Sequence, residues 1–420
     1  MTPTTVSRRS FLASTAALAA GSALGAAAAR KKVALIGTVA FPLSHTQHFL
    51  DRLTLGYGWN GQWHAPEVDL VALYIDQFPK DDLARGRAKR HGVPILPTIA
   101  EALTLGTSKL AVDGVVIIGE HGKYPRNEMG QTLYPRYAFF KQVVEVFERS
   151  GRSVPVFNDK HLSTRWDECV AMVADSKRLG FPFLAGSSLP VTWRLPAVDV
   201  PFGAALTESV SVGYGGVDSY DFHGLETAQC MSERRRGGEV GIHSVEALRG
   251  AAMWDRAATL PTTQRLLISA LSRSQSLPVE ASYLTDRLTF AWARRSFPEG
   301  FAYFIEHRDG FRTTLFMLPP IQDFNYAGLI GATGEVISCQ MYLPMPGRAA
   351  TTADFFNPLV HHIEQMVISG HAPYPVERTL LTSGMTLAGV ESLHRGGRRV
   401  ETPEMEVRYS APGESTFWKT

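Results

Sequence analysis

A chain of 420 residues, 45% of them hydrophobic and 20% charged, has the balance of a globular protein with room for two domains. Its formal net charge of +2 excludes bulk electrostatics as a route to nucleic acid or to an acidic ligand. Cys169, Cys230 and Cys339 lack metal-ligand spacing and cannot all pair within one chain, so buried free thiols are the preferred reading, with one disulfide as the alternative.

In chain order, Ser7-Arg8-Arg9-Ser10-Phe11-Leu12 is a twin-arginine pattern, followed by a mildly apolar, small-residue run that ends near Ala28 or Ala29. It predicts a signal peptide over residues 1–29, read by the twin-arginine export machinery, and a mature chain starting around Arg30 in the periplasm or outside the cell. A permanent span is disfavoured. The segment is short and rich in alanine, and no other window reaches the roughly 18 apolar residues that a membrane crossing needs.

Lys32 to Gly37 is a short apolar strand ending in glycine, and His45 to Leu55 can follow as a helix. This is how a dinucleotide-binding domain begins, although Thr38, Val39, Ala40, Phe41 and Pro42 stand where the second and third glycines of the fingerprint belong. Val68 to Ile75 reads as a second, doubly covered strand ending at Asp76, where a carboxylate can accept from ribose hydroxyls. Gly56 to Pro66 lies between the two as an inserted loop. Helices over Asp82 to His91 and Ile99 to Leu105 precede a buried strand, Asp113 to Gly119. The polar stretch Glu120 to Asn127 follows it, with His121 a candidate site residue whose blander reading is an exposed loop position. Tyr137 to Arg149 is a helix and Ser153 to Asn158 a strand. Ser163 or Thr164 can cap a helix that runs to Gly180. Lys160 therefore falls at a strand-to-helix turn, beyond the carboxyl end of a strand, where open α/β sheets bind ligands.

After Trp193-Arg194-Leu195-Pro196 the pattern changes to α+β. A glycine-rich stretch, Gly213 to Gly216, leads to Asp218, Asp221 and His223. Arg287 to Arg294, Phe301 to His307, Phe311 to Leu318, Phe324 to Gly331 and Val336 to Tyr342 alternate as strands, with hairpin turns at Asp309-Gly310 and Thr333-Gly334. Such a sheet needs one covered face, supplied by a helix such as Asn357 to Ser369 or by a second copy in a homo-oligomer. The basic run Arg234-Arg235-Arg236 reads as solvated surface. His361, His362 and Glu364 are no metal site, because adjacent helical side chains point about 100° apart.

Asp159-Lys160-His161-Leu162-Ser163 ahead of an amphipathic helix resembles the Glu-Lys-Pro-leucine-alanine segment of the Gfo/Idh/MocA oxidoreductases, with Asp for Glu and His for Pro. The order of elements before it, including the Gly92-Val93-Pro94 turn, is similar to that family's nucleotide domain. The resemblance implies a Rossmann-type parallel sheet over residues 30–196. An α+β domain with an open, mainly antiparallel sheet and a return helix would cover 197–402, with a tail over 403–420. It implies NAD as cofactor, a sugar or polyol as substrate, and no metal. Gly37, Thr38, Val39, Asp76, Asp159 and Lys160 would face the cofactor. Lys160 and His223 would be catalytic with a carboxylate nearby; Ser219 stands four residues before His223, where the family has Asp, and Asp218 and Asp221 flank that position, with Asp221 taken as the candidate. Three functions remain open: an exported NAD-dependent oxidoreductase, a redox-neutral glycosidase or lyase that retains NAD, and a cofactor-free carbohydrate-binding or partner-binding protein.

Overall fold

The computed structural model describes residues 29–278, 287–344 and 352–419, so the expected signal peptide, Ser7 to Leu12 included, lies outside the described residues. From Lys31 onward the chain forms one unit built on two sheets. The first half runs β1 (Lys31–Gly37), α1 (His45–Leu55), β2 (Tyr57–Trp59), β3 (Gln62–His64), β4 (Val68–Ile75), α2 (Ala84–His91), α3 (Ile99–Thr104), β5 (Gly114–Ile118), α4 (Arg136–Ser150), β6 (Val156–Asp159), α5 (Trp166–Leu179) and β7 (Phe183–Gly186). The sheet order β4-β1-β5-β6-β7 is parallel throughout, and a bridge from Leu73 to Ile95 extends it beyond β4. The chain moves outward from β1 to β4 and then returns to β5 on the other side. This creates a topological switch point between β1 and β5.

Alternation along the strands explains the two covered faces. Ala34 and Ile36 of β1 pack with α3 and α4 through Ile99, Phe139 and Phe140. Val33 and Leu35 face Phe49, Leu50, Leu359 and Val367 on the other side. The insertion after α1 is a hairpin, β2–β3, closed by Asn60 and Gly61 at φ 49° and 72°, the pair of positive φ values that a type I′ turn requires.

The second half runs β8 (Arg194–Leu195), β9 (Leu206–Gly213), α6 (Asp221–Ser232), β10 (Ile242–Arg249), α7 (Gly250–Ala258), α8 (Pro261–Leu271), α9 (Phe290–Ser296), β11 (Phe301–His307), β12 (Arg312–Met317), β13 (Phe324–Ile330), β14 (Glu335–Met341), α10 (Asn357–Ser369), α11 (Glu377–His394) and β15 (Val400–Glu401). Its eight-stranded sheet, β15-β10-β11-β12-β9-β13-β14-β8, is antiparallel except for the β9–β12 pair. Tyr303, Ile305, Leu315 and Met317 point toward α6 and α11, while Ala302, Phe304 and Phe316 point toward α7 and α8. Both faces are thus covered within the chain.

Three expectations need correction. The helix α10 covers the first sheet, where a Cβ on Gly114 would meet Val367 at 2.6 Å, and not the second sheet. Arg287 to Arg294 is not a strand. Thr289 caps the helix α9 through the Trp292 amide, Trp292, Ala293 and Phe297 join the α7–α8 core, and Arg294 and Arg295 suit the last turn. Of the basic run, Arg234 and Arg235 are buried: Arg234 donates to the carbonyls of Val200, Pro412 and Gly413, and Arg235 is paired with Glu239 and Asp309. The C-terminal segment that supplies those carbonyls also seats Trp418 on Trp59, with ring centroids 4.0 Å apart. The cysteines are buried free thiols, and no helix among the described residues is long and apolar enough to cross a membrane.

Candidate active site

Strand β6 ends at Asp159, and the chain then turns at Lys160, which takes φ 64°. A left-handed backbone costs a residue with a Cβ about 1–2 kcal/mol. Here it is held by the bond from the Lys160 amide to the Gly186 carbonyl at 3.1 Å. Lys160 is 3% exposed, with Nζ 3.6 Å from Glu120 Oε1 and 5.5 Å from the Tyr220 ring centroid. Glu120, at the end of β5, also pairs with Arg136 at 2.7 Å. Burial alone would raise the Glu120 carboxyl, but Lys160 and Arg136 outweigh it and hold that group well below the usual carboxylate range.

Asp159 is fully buried and holds His45, the first residue of α1, through a 2.6 Å contact between Oδ2 and Nδ1. With Nδ1 engaged by Asp159, Nε2 is the ring nitrogen left for a ligand. Nothing in the sequence singles out this pair, because its members are 114 positions apart.

These groups converge on a cavity of about 190 Å³ at the carboxyl ends of β5 and β6, closed on the far side by Ser219, Tyr220 and His223. His45, His48, His121 and Lys160 line it, with Ser187 and Ser188 beside them. Burial drives His223 well below the usual imidazole range, aided by Lys160 and His45. Burial likewise lowers His48 to about 3 and His121 to about 4, with Arg52 and His45 respectively adding to the effect. At neutral pH these three rings are therefore uncharged hydrogen-bonding groups. His121 is a wall of the cavity and not an exposed loop residue.

Of the sequence-derived candidates, the structure brings Lys160, His223 and Asp159 together. Asp221 does not line the cavity: its carboxylate accepts from the amides of Asp218 and Ser219 and from the Tyr303 hydroxyl, as part of the start of α6. Asp218 instead accepts from Gln131 at 3.0 Å and lies 3.3 Å from His161. Among the described residues no group of side chains could hold a metal ion.

Gly37, Thr38, Val39 and Asp76 also lie outside this cavity. Thr38 and Val39 are buried, and the Thr38 hydroxyl donates to the Glu120 carbonyl. The amides of Phe41 and Gln47 are met by the Ser44 hydroxyl, and that of Leu43 by the Gln47 side chain. Amides at this place bind the diphosphate in Rossmann folds. Asp76 accepts from the hydroxyls of Tyr74 at 3.0 Å and Tyr124 at 2.6 Å. Gln77 and Lys123 bond reciprocally across the switch point, at 3.1 Å and 2.9 Å. Asp76 and the amides of Phe41, Leu43 and Gln47 thus already have partners in the protein, which an adenine dinucleotide would have to share or displace in this arrangement.

No protein-family model matches the sequence, and no curated protein is similar to it. Solved structures do match. GenD2 from gentamicin A biosynthesis, in complex with NAD, is 14% identical over 89% of this chain and 96% of that one, with a TM-score of 0.53. A probable dehydrogenase from Thermotoga maritima is 12% identical over 89% and 99%, with a TM-score of 0.55. A myo-inositol dehydrogenase from Lactobacillus casei, in complex with NAD(H) and myo-inositol, is 13% identical over 89% and 96%, with a TM-score of 0.53. These neighbours are dehydrogenases of the Gfo/Idh/MocA type, and the chain has their fold: a parallel nucleotide-binding-type sheet followed by a mainly antiparallel one.

Proposed function

We propose that the chain binds a sugar or polyol in the cavity between its two sheets, with one of its hydroxyls held between Lys160 and His45. The observation that carries this reading is that Lys160 and the Asp159-held His45 line the same cavity. A ligand hydroxyl donates to His45 Nε2, a ring held in place by Asp159. The Lys160 ammonium donates to the same oxygen, a role that suits a buried, pre-positioned cation. Neutral His223 and the hydroxyls of Ser187 and Ser188 orient the remaining oxygens. The cavity is smaller than the roughly 300–1,000 Å³ of pockets for drug-sized ligands, which suits a single ring. The myo-inositol held by one structural neighbour supports a polyol. Calorimetry of the mature chain against a panel of inositols and monosaccharides tests this. Binding that disappears in Lys160→Met is the expected result, and no heat from any member at millimolar concentration contradicts it.

A second reading is oxidation of the same hydroxyl with NAD, favoured by the NAD bound in two of the neighbours. It requires Tyr124 and Lys123 to leave Asp76 and Gln77, and reduction of NAD in the presence of the bound polyol is its test. A redox-neutral lyase or glycosidase with retained NAD faces the same requirement, and a leaving group released without net reduction would identify it. We place this activity outside the cytoplasm on the strength of Ser7 to Leu12. Retention of an Arg8→Lys, Arg9→Lys double variant in the cytoplasm is the expected result. Unchanged export of that variant contradicts it.

A further inference from the structure

The connection from β5 to α4, Gly119 to Pro135, greatly exceeds the usual ~2–6 residues of such a link. It is an ordered segment. Arg126 bridges to Thr132, the Asn127 amide donates to the Gln131 carbonyl at 3.0 Å, and the Asn127 side chain accepts from the amides of Met129 and Gln131. It is fixed at both ends of the cleft. Near β4 the Tyr124 hydroxyl donates to Asp76, and Lys123 is clasped by Gln77. Near α6 the buried Gln131 donates to Asp218. Burial and the bond to Asp76 push the Tyr124 phenol above its ordinary value, so it remains a donor throughout the physiological range.

We infer that the segment Gly122 to Tyr134 is a built-in occupant of the dinucleotide cleft, with the Tyr124 hydroxyl on Asp76 in the place of a ribose hydroxyl. An acidic side chain at the end of the second strand of a doubly wound sheet accepts hydroxyl donors from a ribose. Here a phenol from the same chain supplies a donor of the same kind to the same acceptor. The diphosphate position is likewise satisfied from within, by Ser44 and Gln47, and Thr38 ties the loop after β1 to the start of the inserted segment at Glu120. Asp76 is then an anchor for the segment, and ligand binding in the neighbouring cavity proceeds with the dinucleotide position filled. Tyr134 at the far end of the segment lines the polyol cavity, whereas Tyr124 and Asp76 do not, so the Tyr124–Asp76 contact is tested separately from that reading.

Hydrogen exchange of the mature chain read by mass spectrometry, with and without millimolar NAD, tests it alongside calorimetry with NAD alone. Peptides covering 122–134 are expected to be protected equally in both conditions, and NAD is expected to give no heat. In Tyr124→Phe the same peptides are expected to exchange about tenfold faster, the equivalent of one hydrogen bond to a charged group. Polyol affinity measured in that variant is expected to equal that of the wild type. Submillimolar NAD binding by the wild type, or unchanged exchange over 122–134 in Tyr124→Phe, overturns the inference. A tenfold loss of polyol affinity in the variant overturns the separation of the two ends.

Discussion

The two ends of one cleft are finished in opposite ways. Around Lys160, buried polar atoms are left without protein partners: Asp159 Oδ1, His48 Nδ1, His121 Nε2 and His223 Nδ1 all lack one, and all four residues line the cavity. Around the exposed Asp76, each carboxylate oxygen accepts from a tyrosine hydroxyl, and Gln77 is bonded through both its amide atoms. A buried polar atom without a partner carries a desolvation cost of about 1–3 kcal/mol that a ligand can relieve, whereas an exposed, already partnered one carries no such cost. The fold alone marks both ends as binding surfaces. Hydrogen-bond accounting separates them and locates the chemistry at the β6 end.

The comparison can be broken most sharply at Lys160. Lys160→Met is expected to weaken binding of the best polyol by about 10²-fold or more, the scale of a lost hydrogen bond to a charged group in a desolvated site. Unaltered affinity removes Lys160 from the site. His45→Asn is expected to weaken polyol binding by about tenfold, the scale of one hydrogen bond in a buried site. Unaltered affinity removes His45 from the site.

Stability tests the wall between the two ends. Arg136→Met leaves Glu120 buried with only the more distant Lys160 as a charged partner, and should reduce unfolding free energy by about 3–5 kcal/mol in urea. A loss below 1 kcal/mol would show that Glu120 reaches solvent. Glu226, whose carboxylate receives the amide and hydroxyl of Ser187 beside the cavity, is raised by burial from 4.5 to about 8. Its folded pKa lies above its unfolded one. The stability it contributes is therefore full below pH 4.5 and is lost as pH rises through about 8. The difference in melting temperature between pH 5 and pH 8 should shrink in Glu226→Gln, and an unchanged difference contradicts the assignment. The smallest expected effect is Tyr124→Phe, about 1 kcal/mol or less in global stability, with the change concentrated in exchange of the segment 122–134.

What could be read from the sequence follows the range of the interactions involved. The parallel strands announce themselves because doubly covered strands are continuous apolar runs, as in Val68 to Ile75 and Asp113 to Gly119. Lys160 is marked by its local strand-to-helix context, and His223 by the glycine-rich stretch ahead of it. His45 is invisible in this way, since only the folded sheet brings Asp159 to it. Asp221 looks like a catalytic carboxylate until Tyr303, from β11, is seen to claim it. Arg234 and Arg235 read as surface because their partners, the carbonyls of Pro412 and Gly413 and the carboxylates of Glu239 and Asp309, include groups far along the chain. The broken glycine fingerprint after Gly37 is a local signal of an atypical phosphate loop. The contact of Tyr124 with Asp76 is not legible, because the two lie 48 residues apart.

The central claim is that ligand recognition resides at the Lys160 end and is independent of the dinucleotide end. Calorimetric titration of the mature chain with its best polyol, in the absence and then in the presence of millimolar NAD, tests it most directly. The account predicts the same dissociation constant and the same heat in both titrations. Polyol binding that appears only with NAD, or tightens by tenfold or more when NAD is added, would contradict it.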